Sequence, residues 1–493
     1  MVRFATPLLA ASALLFSAAT AQYRQQQQQQ QQQGGRPSSW FIAAEAPDYN
    51  NKVVSELLDK VKTIRGPGEA YAAFDWDNTC MYGDISYTSV YYQMDNLIYR
   101  IPPTQFEKAF SLGYTDSNGD ECLPQGVNTV LGKDTAGKNV TLKTALSETA
   151  KDYKVLYDLY IAPNETAKDY KVLYDLYIAP KFGLTNGTAA SLDAVKETDA
   201  FKNFRAKLAF LTFGLEASYG TREHLQCAIK IGMTVFPQLL VGMKDEEMRS
   251  LIRSSIRWNL AEKLATPSYT STGSLAKLAT PSYTSTGSLA VKGDYMTGLR
   301  LFNGQETTMR ALRASGVDVH IISASPQVFV EEVGMILGLT YAVPKQNVWA
   351  VRFTAEDGKF TGQLIKDYPI TWGPGKAEIV EKWLKPKYKG KAPIYASGDS
   401  NGDCDFMNQV RDGVVHVNNR LKDNSNCIQE FYEKSCKYYN IPEPSTKNRY
   451  ILQGQDKGMG TWIASGFTTK DGVKYTSGAT ANGNCAMYNF LQQ

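Results

Sequence analysis

The sequence has few histidines, and this shortage excludes two classes of chemistry. Only three occur among the 493 residues: His224, His320 and His416. None is followed by glycine, so the Arg-His-Gly motif of histidine phosphatases is missing. A binuclear metal centre that needs several histidine ligands is excluded for the same reason. His320 and His416 fall within strand-like runs, where we expect them to pack in the core.

Net charge, long apolar runs and paired cysteines are also scarce. The formal charge is +4 and no run of lysine and arginine occurs, so we predict no nucleic-acid-binding surface. Beyond the amino terminus no segment reaches the ~20 consecutive apolar residues of a membrane span, which also argues against a transport ATPase. The seven cysteines form no Cys-x-x-Cys pair, which argues against zinc-ribbon and thioredoxin-type sites.

The amino terminus has the pattern of a targeting segment. Residues 1–21 combine Arg3, an apolar stretch and a small-residue cleavage site, as in a secretory signal peptide. We therefore predict a secreted protein with disulfides, and several pairings of its cysteines stay open. Cys427 and Cys436 are the nearest pair considered, in the tail. Asn-x-Thr triplets suited to glycosylation begin at Asn139, Asn164 and Asn186.

A low-complexity arm and two tandem duplications interrupt the chain. The glutamine-rich arm at 22–38 cannot form a core, and we predict that it is disordered. "ETAKDYKVLYDLYIAP" occurs at 148–163 and 165–180, and "KLATPSYTSTGSLA" at 263–276 and 277–290. Two copies are too few for a solenoid. We interpret both duplications as local insertions into a helical region.

Periodicity predicts the fold class and the domains. Apolar strand-like runs at 70–75, 317–323, 393–397 and 413–417 alternate with helical patterns, which is typical of an α/β fold with a mainly parallel sheet. Residues 348–364 predict a hairpin that turns at Asp357-Gly358. The resulting division assigns 39–83 and 301–425 to a core, 84–300 to a large helical cap inserted after the first strand, and 426–493 to a cysteine-containing extension.

Polar side chains gather where the strand-like runs end. They are Asp75, Asp77, Ser323, Ser325, Asp399 and Asp403, with Lys376 at a helix start after a Gly-Pro-Gly turn. Ligands of parallel α/β sheets bind at the carboxyl ends of the strands, so we expect these side chains to meet. Buried like charges are costly unless a cation or a reaction needs them. The pattern therefore predicts a metal-assisted phosphoryl-transfer site.

Each residue type has a role in such a site. A phosphomonoester is doubly anionic, so an attacking carboxylate needs a cation such as Mg²⁺, which prefers oxygen ligands. Asp75 and Asp399 would supply such oxygens. Asp75 would attack phosphorus, and Asp77 would protonate the leaving oxygen and later activate water. Ser323 and Lys376 would hold the phosphoryl oxygens.

These motifs closely resemble those of the haloacid-dehalogenase-like (HAD) hydrolase superfamily and stand in the same order. Asp75-Trp-Asp77-Asn-Thr79 is similar to the D-x-D-x-T motif, Ser323 to the second motif, Lys376 to the third, and Gly398-Asp399-Ser-Asn-Gly-Asp403 to the acidic G-D-x-x-x-D motif. The resemblance covers roughly 70–84 and 300–420. It implies a Rossmann-like core with the helical cap of the phosphoserine-phosphatase-like branch.

The resemblance also implies an activity and a ligand set. The implied activity is Mg²⁺-dependent hydrolysis of a small phosphomonoester through an aspartyl-phosphate. The predicted metal ligands are Asp75, Asp399, Asp403 and the main-chain carbonyl of Asp77. The predicted substrate contacts are Thr79, Tyr82 and Ser325, the last an alternative to Ser323 at the same strand end. Within that branch the secreted character resembles that of bacterial phosphorylcholine phosphatases.

The same residues have other interpretations. Asp-x-Asp also opens calcium loops, but Cys80 and Ser86 stand where such a loop needs Gly and Glu. The tyrosines that open the cap either pack within it or cage a cationic substrate group by cation–π attraction; they are Tyr82, Tyr87, Tyr91, Tyr92 and Tyr99. The alternative function is a non-catalytic secreted binding or cell-wall glycoprotein on the same fold. Loss of a motif carboxylate would favour it, and none is lost.

Overall fold

A computed structural model of the chain describes most of the region between residues 43 and 475. The described residues are 43–64, 68–110, 122, 125–162, 191–217, 225–266, 268–271, 289–335, 341–421, 426–439, 449–470 and 473–475. The predicted signal peptide (1–21), the glutamine-rich arm (22–38), the second copy at 165–180, Asn164 and Asn186 lie outside these residues. No helix in the described ranges is long and apolar enough to cross a membrane.

A six-stranded parallel sheet forms the core and confirms the predicted α/β fold. Its order is β14-β13-β12-β1-β8-β9. The strands are β1 (Ala70–Phe74), β8 (Val317–Pro326), β9 (Val348–Val351), β12 (Tyr395–Gly398), β13 (Val414–Asn418) and β14 (Tyr450–Gln453). β1 lies near the middle, so the loop that follows it opens at the centre of the sheet's carboxyl edge.

Both faces of the sheet are covered. Ala72 and Phe74 of β1 pack into one apolar layer, whereas Tyr71 and Ala73 pack into the layer on the opposite face. This alternation follows from the two-residue period of a strand. The core helices are α1 (Asp48–Ile64), α9 (Asn303–Ala314), α10 (Gln327–Met335), α11 (Pro374–Ile379), α12 (Lys385–Lys387), α13 (Cys404–Met407) and α14 (Asn426–Tyr439).

The segment after β1 is mostly helical and has an apolar core of its own. Its helices are α2 (Ile85–Asp95), α3 (Pro103–Ala109), α4 (Leu142–Leu156), α5 (Leu192–Lys196), α6 (Asp199–Ala217), α7 (Leu225–Thr234) and α8 (Asp245–Ala261). β2 (Met81–Tyr82) pairs with β7 (Arg300–Leu301) where this segment leaves and rejoins the core. Short hairpins within the segment pair β3 (Val130–Lys133) with β4 (Asn139–Thr141), and β5 (Ser268–Thr270) with β6 (Lys292–Asp294). The sequence did not predict these hairpins, because strands of three or four residues are too short to show a two-residue period.

Two sequence-based boundaries need correction. The predicted hairpin at 348–364 divides: β9 joins the main sheet, while β10 (Phe353–Glu356) and β11 (Lys359–Leu364) pair around the predicted turn at Asp357-Gly358. The core does not end at residue 425 either, since β14 pairs with β13 at the edge of the main sheet. Four short strands follow β14 in the chain and form a separate small sheet: β15 (Gln455–Asp456), β16 (Thr461–Trp462), β17 (Thr468–Lys470) and β18 (Val473–Tyr475).

Two disulfides settle part of the cysteine pairing. Cys122 bonds to Cys227 in the cap, and Cys404 bonds to Cys427. Cys427 therefore bonds to Cys404 and not to Cys436, its near neighbour in the chain. The Cys404–Cys427 bond ties α14, in the predicted extension, to the core helix α13. Asn139 is exposed at the start of β4, as a glycosylated residue must be.

The first copy of one duplication carries a buried ion pair. Asp152 on α4 is fully buried, and its Oδ2 lies 2.8 Å from Nζ of Lys207 on α6. Glu148, from the same copy, has an oxygen 3.7 Å from that Nζ. The equivalent of Asp152 in the second copy is Asp169, outside the described residues.

We expect Asp152→Ala to lower the free energy of unfolding by about 3 kcal/mol, because it removes one partner from a buried charge pair. Asp169→Ala is the matched control, since it makes the same change in an identical local sequence. Chemical denaturation of both variants measures the difference. Equal losses would contradict the assignment of the ion pair to the first copy.

Candidate active site

The loop after β1 carries two carboxylates, Asp75 and Asp77. The Asp75 amide donates to the Ser397 carbonyl at 2.9 Å, which continues the pairing of β1 with β12. Asn78 then adopts a left-handed φ of 59°, a conformation that asparagine tolerates better than most residues, and its amide donates to the Gly83 carbonyl. This turn holds both carboxylates at the carboxyl edge of the sheet.

Three buried carboxylates converge at this edge. Asp75, Asp399 and Asp403 each offer an oxygen, and these oxygens lie within 4.8 Å of one another. The Lys376 ammonium lies among them, 2.5 Å from Asp75 Oδ1 and 2.7 Å from Asp403 Oδ1. The parallel topology thus brings together side chains that are far apart in the chain, such as Asp75 and Lys376, which are 301 positions apart.

Asp403 is held in place by the backbone of its own motif. Its Oδ2 accepts from the amides of Asp399 at 3.0 Å and Ser400 at 2.9 Å. A Cβ at Gly398 would lie 2.5 Å from the Asp403 Cβ, so only glycine allows this approach. Both Asp403 oxygens accept hydrogen bonds, and Asp403 therefore orients Lys376 and the loop that carries Asp399.

Two further side chains, Thr79 and Arg420, hold the carboxylates of Asp75 and Asp399 in place. The Thr79 hydroxyl is fully buried and lies 3.0 Å from Asp75 Oδ2 and 3.2 Å from Asp399 Oδ1. Arg420 Nη1 donates to the other oxygen of Asp399 at 2.9 Å. Thr79 thus links the first and fourth motifs, and Arg420 offsets the charge of Asp399.

Burial and neighbouring acids shift the pKa values of the site's charged groups. Burial, and then repulsion from Asp403, raise the pKa of Asp75 well above its usual range, although Lys376 opposes them. Burial also raises the pKa of Asp77, and Asp84 adds to the effect. Burial works against the charge of Lys376, but Asp403 and Asp75 outweigh it and raise the Lys376 pKa. Lys376 is therefore a fixed cation.

The two serines at the end of β8 have different surroundings. Ser323 is fully buried, and its Oγ accepts from the Ser325 amide at 3.1 Å. Ser325 lines the cavity described below, and its hydroxyl donates to Asp77 Oδ2 at 2.6 Å. Ser325 therefore contacts the predicted acid directly, whereas Ser323 lies one layer deeper.

A cavity of ≈ 200 Å³ opens over these groups. Its floor includes Asp75, Asp77, Lys376, Asp399 and Asp403. The cap contributes a mainly apolar wall with two hydroxyl groups and one carboxylate: Asp84, Ser86, Tyr87, Gly232, Met233, Phe236 and Pro237. Core and cap residues therefore line one cavity.

Two predicted substrate contacts need correction. Thr79 does not line the cavity, because it lies behind the carboxylates that it braces. Tyr82 does not line it either, since its hydroxyl donates to the Lys457 carbonyl at 3.1 Å. Among the five tyrosines only Tyr87 lines the cavity. Tyr91 packs inside the cap, stacked on Tyr295 with ring centroids 4.2 Å apart.

Sequence reasoning missed several residues that line the cavity. They are Asn78, Asp84, Ser86, Trp372 and Arg420. Arg420 had a usable signal, since it follows the end of β13 by two residues and the strand-end rule applies to it. Trp372 and Ser86 had none, because their positions depend on how the loop before α11 and the start of the cap fold back.

The donor set fits a divalent cation. Carboxylate oxygens are the ligands that Mg²⁺ prefers, and the Asp75, Asp399 and Asp403 cluster supplies them from a buried position. Asp75 Oδ2 and Asp399 Oδ1 both face the Thr79 hydroxyl, so these two oxygens lie on the same side of the cluster. Asp75 and Asp399 are therefore better suited to hold an ion than Asp403.

Comparison with known proteins agrees with this geometry. A family model of haloacid dehalogenase-like hydrolases matches residues 295–408, which include Ser323, Lys376, Asp399 and Asp403. No curated protein matches the chain. A solved structure of a functionally unknown protein from Anaerococcus prevotii DSM 20548 has the same fold at 19% identity, with a TM-score of 0.67 over 87% of this chain and 98% of that one.

Two further solved structures are less similar to this chain. A HAD family hydrolase from Salmonella enterica serovar Typhi covers 43% of this chain and 53% of its own, at 12% identity and a TM-score of 0.27. A substrate-bound phosphoserine phosphatase covers 71% and 86%, also at 12% identity and a TM-score of 0.27. Scores this low carry no argument about function. Residues 295–408 therefore match the haloacid dehalogenase-like hydrolase family, and the order of the motifs along the chain agrees with that match.

Proposed function

We propose that the protein is a secreted, Mg²⁺-dependent phosphatase that hydrolyses a small phosphomonoester through an aspartyl-phosphate. One observation carries the proposal: Asp75, at the centre of the sheet edge, lines the cavity while Lys376 and two further carboxylates surround it. The match of residues 295–408 to a hydrolase family supports it, as do the two disulfides, which fit an oxidising compartment.

The proposed reaction has two displacements on phosphorus. In the first, a carboxylate oxygen of Asp75 forms a bond to phosphorus, the ester P–O bond breaks, and Asp77 gives its proton to the leaving oxygen. In the second, Asp77 takes a proton from water, the water oxygen bonds to phosphorus, and the bond to Asp75 breaks. Lys376 offsets negative charge throughout, because two carboxylates keep it protonated.

Asp75 and Asp399 would hold the Mg²⁺, which offsets the charge of the phosphoryl group while an anion approaches it. Arg420 keeps Asp399 in position, and Thr79 keeps Asp399 beside Asp75. The main-chain carbonyl of Asp77 and the carboxylate of Asp403 are the remaining proposed ligands.

The cap, residues 84–300, is the proposed site of substrate selection. Tyr87 and Phe236 meet edge to face with centroids 4.6 Å apart and form the aromatic part of its wall. A leaving group with an apolar or cationic surface would complement aromatic faces, which includes phosphorylcholine.

Phosphate release from a panel of phosphomonoesters tests the proposal. p-Nitrophenyl phosphate, phosphorylcholine, phosphoserine and glycerol 2-phosphate, each with Mg²⁺, cover aromatic, cationic, zwitterionic and neutral leaving groups. We expect release from at least one of them. If none is hydrolysed by the folded, secreted protein, the non-catalytic alternative replaces the proposal.

We expect Asp77→Asn to slow phosphorylation of Asp75 by about 10²- to 10⁴-fold with an alkyl phosphate, because the leaving alkoxide loses its proton donor. With p-nitrophenyl phosphate the loss should be much smaller, since p-nitrophenolate leaves without protonation. Hydrolysis of the intermediate should stay slow, because water still needs a base, and phospho-enzyme should accumulate. Rapid-quench measurement with both substrates checks this. An equal loss for both leaving groups would refute the role of Asp77.

A further inference from the structure

Asp77 is held by a chain of hydroxyl groups that reaches into the cap. Ser86 Oγ donates to Ser325 Oγ at 2.7 Å, and Ser325 Oγ donates to Asp77 Oδ2 at 2.6 Å. A serine hydroxyl has one proton to donate, so the chain has a single direction and ends on the carboxylate.

The other oxygen of Asp77 is held from the same part of the cap. The amide of Ile85, the first residue of α2, donates to Asp77 Oδ1 at 2.8 Å. Asp84 caps this helix by accepting from the amides of Ser86 and Tyr87 at 2.8 and 3.0 Å. The first turn of α2 is therefore fixed locally, and it reaches Asp77 twice: directly through Ile85 and indirectly through Ser86.

The middle hydroxyl group of this hydrogen-bonded series, that of Ser325, comes from the core. Ser325 is 5% exposed, and its amide donates to Ser323 Oγ, so the backbone that carries its hydroxyl is anchored in the deeper layer. Ser86 and Ser325 both line the cavity. The carboxylate of Asp77 thus lies between the end of β8 and the start of α2, with one oxygen turned to each.

We infer that Ser325 and Ser86 are positioning residues that orient the Asp77 carboxylate for proton transfer, and that Ser86 makes this orientation depend on the position of the first cap helix. The inference rests on the proposed function, in which Asp77 is the acid and base. Even a small displacement of the proton donor lowers the reaction rate, because proton transfer requires hydrogen-bond contact with the leaving oxygen.

The test uses the rate of Asp75 phosphorylation in the full-length protein. Ser325→Ala should slow the reaction of an alkyl phosphate by about 10- to 100-fold, the range expected for one hydrogen bond to a charged group. It should slow the reaction of p-nitrophenyl phosphate by less than about threefold, since that leaving group needs little protonation. Ser86→Ala should show the same pattern with a smaller loss, because Ser325 keeps its own bond to Asp77.

Two controls separate positioning from a structural role. Ser325→Thr keeps the hydroxyl and should recover most of the rate with the alkyl phosphate. Ser435→Ala removes another fully buried hydroxyl, which donates to the Phe431 carbonyl away from the cavity. This variant should react with both substrates at the wild-type rate.

A double variant makes the inference falsifiable on its own. In an Asp77→Asn background, Ser325→Ala should lower the rate of Asp75 phosphorylation by less than about a further twofold. The reason is that the residue which Ser325 positions no longer transfers a proton. An equal loss for both leaving groups, or an undiminished loss in that background, would overturn the inference. If Asp77→Asn alone lacks leaving-group dependence, the proposed function fails instead, so the two failures are distinguishable.

Discussion

Removal of divalent metal with EDTA should abolish phosphate release, and added Mg²⁺ should restore it. Five aspartates line the described part of the cavity, and only Lys376 and Arg420 oppose their charge there. Both cations already contact carboxylates, Lys376 with Asp75 and Asp403, and Arg420 with Asp399. A phosphomonoester adds up to two further negative charges, so attack by Asp75 without another cation would meet strong repulsion.

Metal binding should also be visible without turnover. An ion that binds only the folded protein raises its stability, by about 2.7 kcal/mol at a concentration 100 times the dissociation constant. Mg²⁺ should therefore raise the melting temperature of the wild type. Asp399→Asn removes a proposed ligand and should lose this shift, whereas Asp412→Asn, at an exposed aspartate outside the cavity, should keep it. Full activity in metal-free buffer would rule out the metal-assisted mechanism.

The central residues of the site were predictable because topology alone brings strand ends together. Asp75 and Asp399 follow neighbouring strands, β1 and β12, and an oxygen of each lies within hydrogen-bond distance of the Thr79 hydroxyl. Nothing beyond apolar runs and the polar residues after them was needed. The same rule applied to β13 would have found Arg420.

What the sequence did not predict depends on tertiary contacts between distant segments. β14 comes after α14 in the chain and was assigned to an extension, because a four-residue run carries little signal without its partner β13. The roles of Thr79 and Ser325 depend on which acceptor each hydroxyl reaches, which only the folded geometry determines. Cys404 pairs with Cys427 across 23 residues although Cys436 lies nearer to Cys427 in the chain.

Asp75→Asn should form no phospho-enzyme with any substrate. The variant keeps the shape of the side chain, but an amide oxygen is a poor nucleophile, so the first displacement cannot begin. The expected loss exceeds that of Asp77→Asn and does not depend on the leaving group, because the bond to phosphorus never forms. Asp405→Asn, two residues beyond Asp403 and outside the lining of the cavity, is the matched control and should react normally.

The same substitution should not unfold the protein, and this separates loss of the nucleophile from loss of structure. Burial and neighbouring acids raise the pKa of Asp75 in the folded state, so ionising it opposes folding at pH values above the ordinary aspartate pKa of about 4. Asparagine carries no charge, and Lys376 keeps Asp403 as its partner. Without metal, Asp75→Asn should therefore be at least as stable as the wild type at pH 7, and this advantage should disappear as the pH falls towards 4. Thermal unfolding at both pH values, together with rapid-quench phosphorylation at pH 7, measures both effects. A phosphorylated Asp75→Asn protein would show that another residue is the nucleophile, and a variant that unfolds at pH 7 would show that the Asp75 charge stabilises the fold.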